Sequence, residues 1–169
     1  MTNLCRFGAK SSRLAQCAPH DQMSLMNPIA TIGYEKATLD DVIGRLKSAE
    51  VGLLIDVRAI AASRRVGFSK TLLSGTLRDA GVDYLHLRDL GTPKSGREAA
   101  RAGRIGEMTA IFDEHMQTAS AQGALVQAVE AATQRRVCLL CYEADATCCH
   151  RKIVADQMVD LMGTTIIHL

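Results

Sequence analysis

Residues 137–154 hold four of the six cysteines of this 169-residue chain, together with a histidine and two acidic side chains. The segment has the pattern of a buried strand, a short loop and the start of a helix. A thiol at the positive end of a helix, beside a histidine and an arginine, has a lowered pKa and is a better nucleophile. Cys149 is followed by His150 and Arg151, so we predict a lowered pKa for its thiol. The predicted catalytic residues are Cys141, Glu143 and Cys149.

Each cysteine of this segment also has a structural interpretation, because cysteine is a common small side chain in protein cores. That interpretation is preferred for Cys138, in the middle of the predicted strand, and for Cys148. Both interpretations stay open for Cys141 and Cys149. Glu143 lies among several arginines and should stay ionised, which favours orienting a ligand over donating a proton.

Arginines follow several predicted strand ends, where an α/β sheet binds its ligands. Helix N-termini attract anions, and arginine forks bind phosphate or carboxylate through paired hydrogen bonds. We therefore predict an anion site at this edge of the sheet. For Arg58 the alternative is a structural ion pair with a buried acid, Asp56 or Glu143. The predicted anion-binding residues are Arg58, Arg64, His86, Arg88, His150 and Arg151.

A metal site is an alternative use of the same segment. Cys141, Cys149 and His150 offer the soft and borderline donors that suit zinc or iron. The spacing Cys-x6-Cys-Cys-His, however, matches no compact zinc motif with two ligands two to four residues apart. No cofactor is therefore predicted, and zinc or iron is kept as the alternative.

Alternating apolar segments must position these residues. Short apolar runs predict strands, and apolar residues at i, i+3, i+4 and i+7 predict helices. The segment 88–104 is predicted to be a long basic loop. The order of elements predicts an α/β domain of three layers, with a mostly parallel sheet of about five strands and helices on both faces. Predicted strands cover 29–33, 51–57, 82–87, 136–142 and 164–169, and predicted helices cover 38–49, 69–80, 104–119, 122–134 and 149–162.

The first 27 residues lack the periodicity of the rest. Residues 1–27 are predicted to be a disordered or mis-annotated N-terminal extension, with Met23 or Met26 as an alternative start, and residues 28–169 a single domain. A net charge of +2 gives no case for nucleic acid from composition alone. No apolar run reaches the roughly 18 residues that span a membrane. The crowded, unpaired pattern of cysteines predicts a reducing, cytoplasmic setting.

Eight short motifs occur in one order along the chain: Thr31-Ile32-Gly33-Tyr34, Asp56-Val57-Arg58, Ser63-Arg64, Gly67-Phe68-Ser69, Tyr84 with His86-Leu87, Leu90-Gly91, Cys141 with Glu143, and Cys149-His150-Arg151. As a set they resemble the bacterial and archaeal family catalogued as domain of unknown function 488. The resemblance covers roughly residues 29–160. It supports the fold and the position of the site, and it implies no particular activity.

A second likeness is to rhodanese-type sulfurtransferases, which have a strand ending in Asp-Val-Arg and a later strand ending in cysteine. Leu53 to Arg58 and Val137 to Cys141 resemble that arrangement. An anion-cradling Cys-x5-Arg loop would need arginine at position 147, which is Thr147.

Together these observations predict a small cytoplasmic enzyme that acts on an anionic substrate, such as a nucleotide, a nucleic-acid fragment or a phosphorylated metabolite. Three alternatives stay open: a non-catalytic nucleotide or nucleic-acid binding module that uses the basic segment 88–104, a rhodanese-like protein with a persulfide on Cys141, and a metal-binding protein. The sequence contains no glycine-rich dinucleotide motif and no P-loop. It selects neither the substrate nor the oligomeric state.

Overall fold

A computed structural model describes residues 27–169 of the chain. The predicted extension, apart from Asn27, lies outside the described residues. The strands are β1 (Ile29–Gly33), β2 (Leu53–Asp56), β3 (Asp83–His86), β4 (Val137–Cys141) and β5 (Ile166–His168). The helices are α1 (Leu39–Ser48), α2 (Lys70–Asp79), α3 (Lys94–Arg101), α4 (Ile105–Met116), α5 (Ala119–Gln134) and α6 (His150–Met162), and a short 3-10 helix covers Arg88–Leu90.

The five strands form one parallel sheet in the order β3-β2-β4-β1-β5. This confirms the predicted α/β fold with a largely parallel sheet. The register pairs Cys141 with Gly33, and Asp56 with both Leu140 and His86. The carboxyl ends of β1, β2, β3 and β4 therefore lie side by side at one edge of the sheet.

Two apolar cores, one on each face of the sheet, produce the predicted three layers. Helices α1 and α2 cover one face, and α3 to α6 cover the other. The central strand β4 is buried at all five positions, Val-Cys-Leu-Leu-Cys, because it is covered on both faces. Its side chains alternate between the two faces of the sheet. Cys138 and Leu140 lie in one core, and Val137, Leu139 and Cys141 lie in the other.

The prediction of a long loop over 88–104 is wrong. The segment contains the short 3-10 helix and then α3, which begins after Pro93 and packs against α4. Small residues make this contact: Gly96 and Ala99 are buried, and a Cβ atom on Gly96 would crowd Thr92 and Ile111. A helix without large apolar side chains has no strong periodic signal in the sequence.

The described cysteines Cys138, Cys141, Cys148 and Cys149 are all free thiols. Within residues 27–169, none of the helices combines the length and the apolar character that a membrane crossing requires.

Candidate functional site

The connection from β4 to α6 brings two distant ends of one segment together. Cys141 is the last residue of β4, Cys149 is the residue before α6, and His150 is the first residue of that helix. The intervening loop turns the chain back, so the thiols of Cys141 and Cys149 meet at the carboxyl edge of the sheet. The sequence prediction of a strand, a loop and a helix start is confirmed here.

Four side chains converge at this edge, and we call them the thiol cluster: Cys141, Glu143, Cys149 and His150. The Sγ atoms of Cys141 and Cys149 both donate to Glu143 Oε2, at 3.1 and 3.0 Å. The same two sulfurs lie 3.7 and 3.9 Å from His150 Nδ1. One donor atom from each of Cys141, Cys149 and His150 fits within 4.8 Å of the others.

The orientation of the His150 ring is set by its second nitrogen. Nε2 lies 2.9 Å from the carbonyl oxygen of Val57, just beyond the end of β2. A carbonyl oxygen can only accept, so Nε2 carries a proton and Nδ1 faces the two sulfurs. The ring of Phe112 from α4 packs edge-on at 5.1 Å between centroids. The imidazole is therefore held on two sides and is buried.

The backbone around Glu143 is held by Arg151 and Gly33. The Arg151 guanidinium donates to the carbonyl oxygens of Glu143 and Ala144. Gly33 lies directly under the loop, and a Cβ atom there would overlap the carbonyl of Glu143. Arg151, predicted to bind an anion, thus shapes the loop with its terminal nitrogens, and its side chain is 1% exposed.

The electrostatics of the thiol cluster correct one prediction. Burial, reinforced by the neighbouring Cys141, raises the pKa of the Cys149 thiol well above its ordinary value instead of lowering it. Burial alone would raise the pKa of Glu143, but hydrogen bonds from Cys149 and Cys141 leave it lowered. Burial alone would lower the pKa of His150, yet contacts with Cys149 and with the Val57 carbonyl leave it raised. The pairing inside the cluster therefore favours an ionised carboxylate.

Arg58 lies in a separate, structural network. Its Nε donates to Asp56 Oδ1 at 2.8 Å, and its Nη1 donates to Tyr34 Oη at 2.7 Å and to the Phe68 carbonyl at 2.9 Å. The ion pair with Asp56 confirms the structural alternative for Arg58. His86 Nε2 lies 2.8 Å from the carbonyl oxygen of Arg58 and belongs to the same network.

Arg64 and Arg88 are exposed side chains in the segments that follow β2 and β3. The structure thus unites Cys141, Glu143, Cys149 and His150. The predicted anion-binding residues are distributed between the thiol cluster, the adjoining loop that Arg151 holds, the Arg58 network and the surface. Anion binding by these residues stays a prediction.

Three contributors to the site were not predicted: the Val57 carbonyl, the Phe112 ring and the close approach at Gly33. Val57 and Gly33 occur in the motifs noted above, but no pattern of residue types shows that a backbone carbonyl or a missing Cβ is what matters. Gly91 has a similar role, because a Cβ atom there would overlap the backbone of Ala59.

A family model described as Domain of unknown function DUF488 matches residues 38–158, which include the whole thiol cluster. No curated protein and no solved structure matches the chain.

Proposed function

The chain belongs to the DUF488 family, whose description names no activity, and we propose that the protein binds one divalent metal ion of the zinc class through Cys141, Cys149 and His150. The observation that carries this proposal is the convergence of two sulfurs and one imidazole nitrogen within 4.8 Å. Glu143 Oε2 accepts hydrogen bonds from both sulfurs, at 3.1 and 3.0 Å, and is not one of these three donors.

The distances support a tetrahedral site. Zinc binds sulfur at about 2.3 Å and imidazole nitrogen at about 2.0 Å, so a sulfur and a nitrogen on one zinc are about 3.5 Å apart. The sulfurs of Cys141 and Cys149 lie 3.7 and 3.9 Å from His150 Nδ1. An ion would draw these atoms together by a few tenths of an ångström and would replace the thiol protons that now bridge to Glu143.

The surroundings of His150 also support an ion. Histidine ligands of metals nearly always donate their other ring N–H to a carbonyl, a carboxylate or water, which fixes the ring orientation. The hydrogen bond from His150 Nε2 to the Val57 carbonyl has this form. Nδ1 faces the sulfurs of Cys141 and Cys149, which both donate to Glu143. A cation between the three atoms satisfies all of them.

The test is the metal content of the full chain after reconstitution with zinc and removal of the excess, in a non-thiol reductant. The wild-type protein is expected to keep about one zinc per chain, bound by the three donors. Cys149→Ser should lose the ion, and Cys148→Ser should keep it. Cys148 is the matched control, because it is the adjacent cysteine and its thiol is exposed outside the cluster. Equal zinc content in the two variants, or no zinc in a folded wild-type protein, would overturn the proposal.

An alkylation experiment removes the dependence on variants that fold. Wild-type protein is treated with iodoacetamide with and without zinc, and the modified peptides are mapped by mass spectrometry. Zinc should protect Cys141 and Cys149, whereas Cys148 should react to the same extent in both samples. Burial alone slows the alkylation of Cys141 and Cys149, so the readout is the difference that zinc makes, and equal, measurable labelling with and without zinc would contradict metal binding.

A second candidate is the thiol enzyme with an anionic substrate that the sequence predicts. The distance of 3.7 Å between Cys141 Sγ and His150 Nδ1 favours it, because a nucleophile and a base must be neighbours. Burial raises the pKa of the Cys149 thiol, which disfavours Cys149 as the nucleophile. Arg64 and Arg88 are the exposed arginines that would meet a substrate anion.

Chelator-treated protein tests this second candidate. Phosphate, mononucleotides, ADP-ribose and short RNA would be screened by thermal shift, with Arg64→Ala and Arg88→Ala as variants. A metal-free thiol enzyme should show a shift that both variants weaken. Thiosulfate treatment checks the rhodanese-like version, which predicts a mass gain of one sulfur on Cys141.

A further inference from the structure

We infer that Cys141 and Cys149 are an oxidation site, at which hydrogen peroxide joins the two thiols in a reversible disulfide. This inference goes beyond the metal site proposed above and does not depend on it. It follows from the contacts of the two sulfurs, from their separation from the other described cysteines, and from the position of Glu143 between the thiol cluster and the solvent.

The fold brings the two sulfurs together at one carboxylate oxygen. Both donate to Glu143 Oε2, at 3.1 and 3.0 Å, and they lie within 4.8 Å of each other. A disulfide bond is about 2.05 Å long, so the sulfurs must approach each other by less than about 3 Å. A change of rotamer about the Cα–Cβ bond displaces a cysteine sulfur by a comparable distance.

The backbone at Cys149 permits such a change of rotamer. Cys149 precedes α6 with extended backbone angles, φ −129° and ψ 137°, and its side chain makes no capping hydrogen bond. A helical turn before a residue restricts its rotamers, and no such turn precedes Cys149. Cys141 ends β4, and residues 142–148 connect the two cysteines outside any strand or helix. The bridge would therefore close a short connection without breaking the strand or the helix.

The other two described cysteines are separated from this pair. Cys138 lies in the core on the opposite face of β4. Cys148 is exposed, and its sulfur lies 3.8 Å from the hydroxyl of Thr147. A bridge between the neighbours Cys148 and Cys149 is disfavoured, because Cα atoms across a trans peptide are about 3.8 Å apart and disulfides usually span at least about 4.4 Å. The geometry therefore selects Cys141 and Cys149.

Glu143 marks the route by which an oxidant reaches the buried thiols. Cys141 and Cys149 are 4% and 3% exposed, whereas Glu143, which contacts both sulfurs, is only half-buried. The flanking residues Tyr142 and Ala144 are exposed. A molecule from the solvent therefore reaches the sulfurs along the Glu143 side chain. This route suits hydrogen peroxide, which is little larger than water, better than a protein disulfide.

One molecule of hydrogen peroxide balances the oxidation. One sulfur attacks a peroxide oxygen, the O–O bond breaks, and the products are a sulfenic acid and water. The second sulfur then attacks the first, the S–O bond breaks, and a second water leaves with the remaining thiol proton. The two sulfurs lose two electrons in total, and the peroxide gains them. Because a metal ion binds the thiolate form of cysteine, the oxidised chain should not bind zinc at these sulfurs.

Peptide mapping of the full chain provides the test. The reduced, chelator-treated protein is oxidised with a small excess of hydrogen peroxide, and the remaining thiols are alkylated in urea. Digestion with trypsin and a glutamate-specific protease then cuts after Arg136, Glu143 and Arg151, which places Cys141 and Cys149 on different peptides. These peptides should stay joined, with a mass two hydrogen atoms below their sum, until a reductant separates them. Cys138 and Cys148 should carry alkyl groups.

Two variants check which sulfurs are joined. Cys149→Ser should lose the joined peptides, and Cys148→Ser should keep them. Cys148 is the matched control, because it is the adjacent cysteine and it lies outside the thiol cluster. A bridge that uses Cys138 or Cys148, or sulfinic acid on Cys141 and Cys149 without a bridge, would overturn the inference. The wild-type map decides this even if Cys149→Ser does not fold.

Zinc content before and after oxidation separates this inference from the metal site. Oxidation should abolish zinc binding by the wild-type chain, and reduction should restore it. A reduced chain that binds zinc but forms no bridge after chelation and oxidation would overturn the oxidation site and leave the metal site standing. A chain that forms the bridge but binds no zinc when reduced would support the oxidation site and contradict the metal site.

Discussion

Arg58 forms an internal ion pair, because its guanidinium is buried against the carboxylate of Asp56. Asp56 is fully buried, so Arg58→Ala would leave an uncompensated charge there. Removing one partner of a buried pair costs about 3–5 kcal/mol, and we expect a loss of that size in the free energy of unfolding measured by urea. Arg64→Ala, at an exposed arginine in the same connection, should change it by less than about 0.5 kcal/mol. A similar loss in both variants would contradict a structural role specific to Arg58.

The thiol cluster can form only because Gly33 has no side chain. A Cβ atom at this position would overlap the Glu143 carbonyl, a backbone atom that cannot rotate away. Gly33→Ala should therefore displace the loop and weaken zinc binding by at least about tenfold, the scale of changes just outside a metal's ligands. Competition with a chromophoric chelator measures this affinity.

The matched control is Gly123→Ala in the middle of α5, where no atom lies within 4 Å of an added Cβ. It should leave zinc affinity unchanged and stabilise the helix by up to about 1 kcal/mol. Zinc affinity of Gly33→Ala equal to that of this control would show that the loop does not depend on the close approach.

The hydrogen bond between Tyr84 on β3 and Asp56 on β2 should make the free energy of unfolding depend on pH in the alkaline range. Tyr84 Oη donates to Asp56 Oδ2 at 2.6 Å. Burial, and then this hydrogen bond, raise the pKa of Tyr84 above its ordinary value of 10.0. The folded state therefore keeps its proton where the unfolded chain loses it, so the contribution of Tyr84 is complete below about pH 10 and falls as pH rises further.

Urea unfolding at pH values roughly one unit below and above 10 checks this dependence. The wild-type protein should lose more stability across that interval than Tyr84→Phe, which has no proton to lose. Tyr142→Phe is the control at an exposed tyrosine and should behave like wild type. Equal losses in Tyr84→Phe and wild type would exclude Tyr84 as a source of the alkaline dependence.

Among the helices, sequence patterns predicted α4, which packs through large apolar side chains, and missed α3, which packs through small ones. Helix α4 was predicted because Met108, Phe112 and Met116 repeat along one face. Helix α3 was missed because Gly96 and Ala99 make its buried contact. The site in the connection between β4 and α6 was predicted because its cysteines and histidine lie within ten residues of one another in the sequence. Their proximity does not depend on the order of the strands in the sheet.

The order of strands in the whole molecule decides the parts of the site that sequence patterns could not predict. Strand β4 lies between β2 and β1, which brings the Val57 carbonyl to His150 and Gly33 beside Cys141. Neighbours in the sheet that are some eighty or more residues apart leave no local signal. The fold also places Tyr34 and Phe68 around Arg58. The guanidinium of Arg58, which could otherwise bind an anion, donates its hydrogen bonds within the protein.

Metal binding at one edge should stabilise the whole domain, because the proposed ion would join β4 to α6 and, through His150, to the end of β2. A ligand at 100 times its dissociation constant adds about 2.7 kcal/mol to the free energy of unfolding. For a domain of this size the melting temperature should rise by about 5–10 °C, and excess chelator should reverse the rise. Cys148→Ser should show the same rise and Cys149→Ser none. If zinc raised the melting temperature of Cys149→Ser as well, the stabilising zinc ion would be bound elsewhere on the chain.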